Sequence, residues 1–340
     1  MIGLSEVAKQ AGVSASTASR ALNRPELVRP DTVVRVRSAA DRLGYVPNPF
    51  ARSLRVPGSK TLGLIVPDST NPFFAEVAKG IEDACFRAGY ALVRCNSDRS
   101  PEKEAAQARL LSEKRVDGVL LFSIGEASGG AIAWLQDRSV PVLVLERRSS
   151  RPAADCVVSD NAAGVRAAIA HLASLDHRRI ACLTGNLDAT HYADRLVSYE
   201  EAVREFGLIA ATSLVRSNLT SYADGLSATV DLLMLPEPPT ALFCATDTLA
   251  IGALRGAAMT GKRIPGDISI VGYGDIELAA FVQPPLTSVV QEKETVGAKA
   301  VRLLLRRVAQ QQEGRSWRPI VQVVPTRLVV RESTGPAPAG

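Results

Sequence analysis

Seven consecutive residues near the N-terminus, Ser14-Ala15-Ser16-Thr17-Ala18-Ser19-Arg20, combine four hydroxyls, two bare methyl groups and one guanidinium. Hydroxyls reach phosphate oxygens or base edges, and an arginine can grip a guanine bidentately. Small side chains let the helix that carries them sink into a major groove. Two short helices joined by a tight turn, over residues 5 to 22, would present this face. Leu4, Val7, Ala8 and Ala11 recur at helical spacing, and Ser5 is placed to cap the first helix. Gly12 supplies the turn, and Val13 is the residue expected to be buried between the helices. Ser14 then stands at the N-cap of the second helix, with Ala18, Ala21 and Leu22 as its apolar face. An ordinary helical hairpin with solvated serines has the same spacing, so the pattern needs support from elsewhere.

Charge gives that support. Of the 340 residues, the first 60 carry ten basic and four acidic side chains, while the whole chain is only +5. A basic head on a near-neutral body is the footprint of a polyanion-binding module attached to a separate core. A third helix is expected from about Asp31 to Leu43, after Pro30 and before Gly44, with Val33, Val36, Ala40 and Leu43 as its core stripe. Next comes Pro47-Asn48-Pro49-Phe50-Ala51-Arg52-Ser53-Leu54-Arg55, followed by Pro57-Gly58-Ser59. A two-turn helix here is marginal alone in water and would form only when docked. Leu54 either packs on the core or wedges between bases in a minor groove.

From Thr61 the chain alternates apolar strand-length runs with amphipathic helices. The runs include Thr61 to Pro67, Ala91 to Cys95, Val119 to Ser123, Val140 to Glu146, Cys156 to Ser159, Ile180 to Thr184, Ala241 to Ala245 and Ser269 to Tyr273. Two successive βαβ series of near-continuous apolar strands imply parallel sheets covered on both faces, split between two lobes. Ligands of such folds lie beyond the carboxyl ends of the strands, here between the lobes.

The chain as a whole, over about residues 3 to 332, resembles the lactose-repressor (LacI/GalR) family of bacterial transcription regulators. LSEVAKQAGVSASTASRALN is similar to the family's DNA-reading headpiece and LGYVPNPFARSLR to its hinge helix. TLGLIVPDSTNPFFAEVAKGIEDA, FCATDTLAIGAL, DISIVGYGDIELA, PPLTSVVQ and VPTRLVVREST follow in the family's order and spacing. The resemblance implies a three-helix headpiece over 1–46, a hinge over 47–60 and a two-lobed periplasmic-binding-protein-like α/β core over 61–332. The N-lobe would take about 61–160 and 289–318, and the C-lobe 161–288 and 319–332. The strands would cross near Asp160-Asn161, Thr287-Ser288 and Arg318-Pro319, and 333–340 is expected to be a disordered tail. The implied function is repression of a palindromic operator in double-stranded DNA by a cytoplasmic homodimer, tuned by a small molecule, with no catalysis and no cofactor. Closure about the crossings would move the two headpieces together or apart.

Residue by residue, the resemblance assigns base discrimination to Ala15, Ser16 and Arg20, and phosphate or mixed contacts to Thr17, Ser19 and Asn23. Ser14, Ala51 and Arg55 join the DNA set, and Leu54 becomes the minor-groove wedge. With Ala15 and Ser16 so small, Arg20 is expected to dominate direct readout. For the effector, the resemblance points to Phe73, Phe74, Glu146, Arg147, Asp160, Arg195, Asp247 and Asp275, with His191 close by in sequence. One departure stands out: Val271-Gly272-Tyr273-Gly274-Asp275 has Gly274 where the family usually carries a sugar-gripping carboxylate. Losing that charge beside Arg147 and Arg195 predicts a net positive pocket and an anionic effector, a sugar acid or sugar phosphate; a neutral sugar is the reading if Asp275 swings in.

Other chemistry finds little footing. Five scattered cysteines (85, 95, 156, 182 and 244) suit core thiols in a reducing cytosol better than disulfides. His171, His177 and His191 lack metal-ligand spacing, and no GxSxG, P-loop or HExxH motif occurs. No signal peptide and no long apolar run is present, which disfavours the remaining alternative, a solute-binding protein working outside the cytoplasm.

Overall fold

The computed structural model describes residues 2–45, 58–125, 128–147 and 154–338. The chain divides into two compact units, residues 1–59 and 60–340. In the first, α1 (Leu4–Ala11), α2 (Ala15–Asn23) and α3 (Pro30–Leu43) enclose a small core of alanines and valines, among them Val7, Ala8, Ala18, Ala21 and Val36. Small residues allow three short helices to approach closely. Gly12, in the left-handed region at φ 65°, ends α1 and makes the turn. Ser5 does not cap α1: the N-cap is Gly3, whose N–H is accepted by the Glu6 carboxylate at 2.7 Å. Ser14 caps α2 as expected, accepting the Thr17 N–H at 3.2 Å. Val13 is half-buried against the headpiece core.

The second unit holds two six-stranded sheets. The N-lobe begins β1 (Thr61–Val66), α4 (Pro72–Arg87), β2 (Ala91–Asn96), α5 (Pro101–Glu113), β3 (Gly118–Phe122), α6 (Gly129–Asp137), β4 (Val142–Leu145) and β5 (Asp155–Ser159). The C-lobe follows with α7 (Asn161–Ser174), β6 (Ile180–Leu183), α8 (Thr190–Glu205), β7 (Val215–Arg216), α9 (Tyr222–Leu233), β8 (Ala241–Cys244), α10 (Asp247–Met259), β9 (Ser269–Gly274) and β10 (Thr287–Gln291). The chain returns to the N-lobe as α11 (Lys293–Gln312) and β11 (Val321–Val324), then re-enters the C-lobe as β12 (Thr326–Val329). Strand order is β11-β5-β4-β3-β1-β2 in one sheet and β12-β10-β9-β8-β6-β7 in the other. All pairings are parallel except β12, which runs antiparallel to β10. β3, β4, β5, β6, β8 and β9 are buried throughout, as helices on both faces require.

Two expected boundaries move. β10 lies wholly in the C-lobe sheet and β11 wholly in the N-lobe sheet, so the second and third crossings fall at 291–292 and at Pro325, not at 287–288 and 318–319. An apolar run does not reveal which of two sheets it joins; the register Val321↔Cys156 and Ser288↔Val329 does. The expected disordered tail is likewise corrected up to residue 338. Ser333 is fully buried, its hydroxyl donating to the Ile270 carbonyl at 2.6 Å and accepting the Thr287 N–H at 2.8 Å. The Gly335 carbonyl accepts from His177 Nε2 at 3.0 Å, and Ala337 N–H donates to the Leu175 carbonyl at 2.8 Å.

Candidate functional site

On α2 the N-cap fixes the candidate DNA face. Ser14 Oγ sits 2.9 Å from both Ser16 Oγ and Thr17 Oγ1, so three of the four hydroxyls form one local cluster. Ser14, Ala15, Ser16, Arg20 and Asn23 are exposed; Thr17 and Ser19 are half-buried. Asn23 Nδ2 donates to the Ser19 carbonyl at 2.9 Å, which spends half of its amide on the helix end. Arg20 has no hydrogen-bond or ion-pair partner among the described residues. Ala51, Leu54 and Arg55, and with them the expected hinge helix, lie outside the described residues.

The second site is the cleft between the lobes, built at the carboxyl ends of β3, β4, β8, β9 and β10. Phe73 and Phe74 open α4, whose N-cap Asn71 accepts the Phe73 N–H at 3.0 Å. Their rings meet Phe122 edge-on, with centroids 6.5 and 5.0 Å away. Phe73 packs against the hydrophobic cores of both lobes, so it senses their separation.

Arg195 projects from α8 and is 3% exposed. Its guanidinium donates to Asn161 Oδ1 at 3.0 Å, to the Ala245 carbonyl at 2.6 Å and to Gln291 Oε1 at 3.2 Å, and lies 3.7 Å from the Tyr273 ring centroid. The network continues: Tyr273 O–H donates to Asn161 Oδ1 at 3.0 Å, and Gln291 Nε2 donates to Ser159 Oγ at 2.8 Å. Ser159 in turn donates to Glu146 Oε1 at 2.8 Å. Asn161 and Gln291 flank the first two crossings, so one arginine ties both together. Glu146 is buried at the end of β4 with φ 56°, a left-handed backbone that is costly for a non-glycine residue. Burial raises its pKa, opposed by Arg195 and by the Ser159 hydrogen bonds, and its Oε2 has no hydrogen-bond partner.

Asp247 is the first residue of α10, capped by Thr246, and is 1% exposed. Oδ1 accepts from Ser288 Oγ at 2.6 Å and Oδ2 from Ile276 N–H at 2.8 Å. Desolvation outweighs these bonds and pushes its pKa up to about 6. A Cβ at Gly272 would stand 2.2 Å from Oδ1, and Gly274, at φ 124°, would bring one within 3.4 Å of Oδ2. Gly272 therefore makes room for the Asp247 carboxylate, whereas Gly274 is demanded by its own backbone conformation. His191, in the first turn of α8, is pushed down to about 3 by burial and then by Arg195 and Arg99, so it is neutral at pH 7.

Three of the expected effector residues do not line this cleft. Asp160 caps α7, accepting the Ala163 N–H at 3.1 Å. The Asp275 carboxylate is tied to Arg331 at 2.6 Å. Arg147 instead exerts its charge on Glu104 and Cys156. Of the cations behind the expected positive pocket, Arg147 does not line the cleft, His191 is neutral, and Arg195 gives three of its donors to protein acceptors. Missed were Phe122, Tyr192, Tyr273, Ile276 and Gln291. Phe122 and Gln291 end their strands and Tyr273 nearly does, so the rule that ligands sit beyond strand carboxyl ends was the available signal.

Comparison with known proteins joins the two sites. Residues 3–48 match the family described as bacterial regulatory proteins, lacI family, and residues 169–334 match the periplasmic binding protein-like domain. The HTH-type transcriptional repressor PurR of Aliivibrio salmonicida (strain LFI1238) is 35% identical over 309 residues, 91% of this chain and 92% of its own. The chain belongs to the lacI family. Accordingly this regulator is a DNA-binding protein and not an enzyme, and its two-lobed core serves a small effector molecule. Among solved structures, the lac repressor dimer bound to operator and the anti-inducer ONPF superposes with a TM-score of 0.88 at 28% identity, covering 98% of this chain and 99% of that one. A complex of the transcriptional regulator CelR with cellobiose gives 0.74 at 32% identity, covering 98% and 100%. No described helix of the regulator is long and apolar enough to cross a membrane, and no described cluster of His, Cys, Asp and Glu could hold a metal ion.

Proposed function

We propose that this regulator is a homodimeric repressor whose α2 reads a palindromic operator and whose interlobe cleft takes a neutral, polyhydroxylated effector of the sugar class. Ser14, Ala15, Ser16, Thr17, Ser19, Arg20 and Asn23 form the DNA-reading set, with Arg20 as the principal base reader. Its exposed guanidinium, unpaired among the described residues, supports that role, because it forfeits none of them as a partner on docking. The operator-bound dimer of the lac repressor supports the assembly.

One observation carries the effector reading: among the described residues of the cleft, Arg195 is the sole formal cation and gives three of its five N–H donors to protein acceptors, while Glu146 and Asp247 place carboxylates there. An added carboxylate or phosphate on the ligand would meet two buried acids and a single cation already shared with three protein acceptors. Hydroxyl groups, by contrast, can donate to Glu146 Oε2, and phenyl faces at Phe73, Phe74 and Phe122 suit the C–H faces of a sugar ring. The cellobiose complex of CelR is in keeping with this class. Calorimetry with matched pairs, such as glucose against gluconate and ribose against ribose 5-phosphate, tests it; binding confined to the acidic member of a pair restores the anionic effector. Gel shifts on operator-containing and scrambled DNA over a range of salt test the DNA reading, which requires sequence preference and a steep salt dependence.

A further inference from the structure

α4 and α11 cross at two glycines. A Cβ on Gly297 would stand 2.7 Å from the Ile81 nitrogen and 2.8 Å from the Gly80 carbonyl carbon, and one on Gly80 would stand 3.1 Å from Glu294 Cα. Backbone therefore touches backbone, and the two helices are fixed in register. One turn before each glycine stands a charged residue: Glu76 precedes Gly80 by four, and Lys293 precedes Gly297 by four. The crossing brings them together, Lys293 Nζ lying 3.0 Å from Glu76 Oε2.

Both belong to N-lobe helices, yet both bond the C-lobe. Lys293 Nζ donates to the carbonyls of Gly274, at 2.8 Å, and of Asp275, and Glu76 Oε1 accepts the Glu277 N–H at 2.9 Å. Gly274 borders the cleft: a Cβ there would come within 3.4 Å of Asp247 Oδ2 and 3.7 Å of Phe73. The pair thus grips the outer side of a strand end whose inner side forms the effector cleft, without itself lining the cleft. Its side chains are largely but not wholly covered, 13% and 29% exposed, so the charges are only partly screened by water.

We infer that Glu76 and Lys293 are positioning residues for the effector response: an interlobe latch that holds the two lobes closed, engaged from the N-lobe onto the Gly274–Glu277 segment. Separation of the lobes breaks three hydrogen bonds to the C-lobe backbone together, while leaving the Glu76–Lys293 ion pair intact within the N-lobe. The latch thereby sets the equilibrium between closed and open cores on which any effector must act.

The test needs no effector, so it stands apart from the sugar assignment. Hydrogen–deuterium exchange and small-angle X-ray scattering are measured on the full chain for Glu76→Ala, Lys293→Met and Lys293→Arg, with Lys79→Ala, an exposed position of the same helix, as control. The expected result is exchange at the Glu277 amide at least tenfold faster in Glu76→Ala and Lys293→Met, with a larger radius of gyration and unchanged protection in β3. Lys293→Arg and Lys79→Ala should stay near the parent protein. Unchanged exchange and scattering overturn the latch, and so does a loss of protection that spreads equally into β3, which would mark the pair as a general fold contact.

Discussion

Arg20 and Arg307 are the same residue put to opposite uses. Arg307, on α11, is 5% exposed; its Nε and Nη2 donate to the two oxygens of the buried Asp155 at 2.6 and 2.9 Å, and Nη2 also reaches the Arg318 carbonyl. Arg20 is exposed and has no such partner among the described residues. The contrast extends to the units that carry them: every ion pair among the described residues lies in the core, and none lies in the headpiece. A cation neutralised inside its own fold holds that fold together, whereas a set left unneutralised on a small module is available to a polyanion.

The sharpest break of this contrast is Arg307→Ala. It strands a buried carboxylate, and urea unfolding should show a loss of about 3–5 kcal/mol; a loss below 1 kcal/mol would mean that Asp155 is readily re-solvated. Asp247 comes next. Its folded pKa, about 6, lies above the ordinary carboxylate value of 3.8. The folded chain therefore binds the extra proton between those limits, and the group's stabilising contribution is lost as pH rises through that window, by no more than about 3 kcal/mol at about 1.4 kcal/mol per pH unit. Subtracting the pH–stability curve of Asp247→Asn from that of the parent should expose this fall; a flat difference contradicts a raised pKa.

Arg20→Ala should cost about 1–3 kcal/mol of discrimination between operator and scrambled DNA, with the thermal midpoint of the chain unmoved. Ser16→Ala should cost less, and equal losses in anisotropy titrations would show that the α2 face has been misassigned. The smallest effect belongs to Arg166→Ala. Its bonds to Glu205 are exposed on the core surface, and removing them should leave both the urea midpoint and DNA affinity essentially unchanged.

The headpiece was legible almost residue by residue because its signals are local. Gly12 must end a helix, Ser14 must begin one, and the apolar spacing of Val7, Ala8, Ala11, Ala18 and Ala21 selects one inward face. The single local error, Ser5 for Gly3 as the first cap, arose because the helix already begins at Leu4, with the Glu6 carboxylate reaching back to accept the Gly3 N–H. In the core the alternation of strands and helices was equally plain, and so was the two-lobed division. Which lobe received β10 and β11, and what became of residues 333–338, was not, since those outcomes depend on pairing partners distant in the chain, as in Val321↔Cys156 and the Ser333 bond to Ile270.

The effector cleft shows the same limit most clearly. Sequence determined the residue types at strand ends, the loss of a carboxylate at Gly274 and the presence of Arg195 and Asp247. Tertiary structure alone decided their electrostatics. Arg147 does not line the cleft, His191 loses its proton to burial, Arg195 gives donors to Asn161, Ala245 and Gln291, and Asp247 fills the space that Gly272 leaves open. A count of charges along a chain treats each as free, but in a folded cleft the charge that a ligand meets is what remains after desolvation and internal hydrogen bonding, and only the assembled lobes fix that remainder.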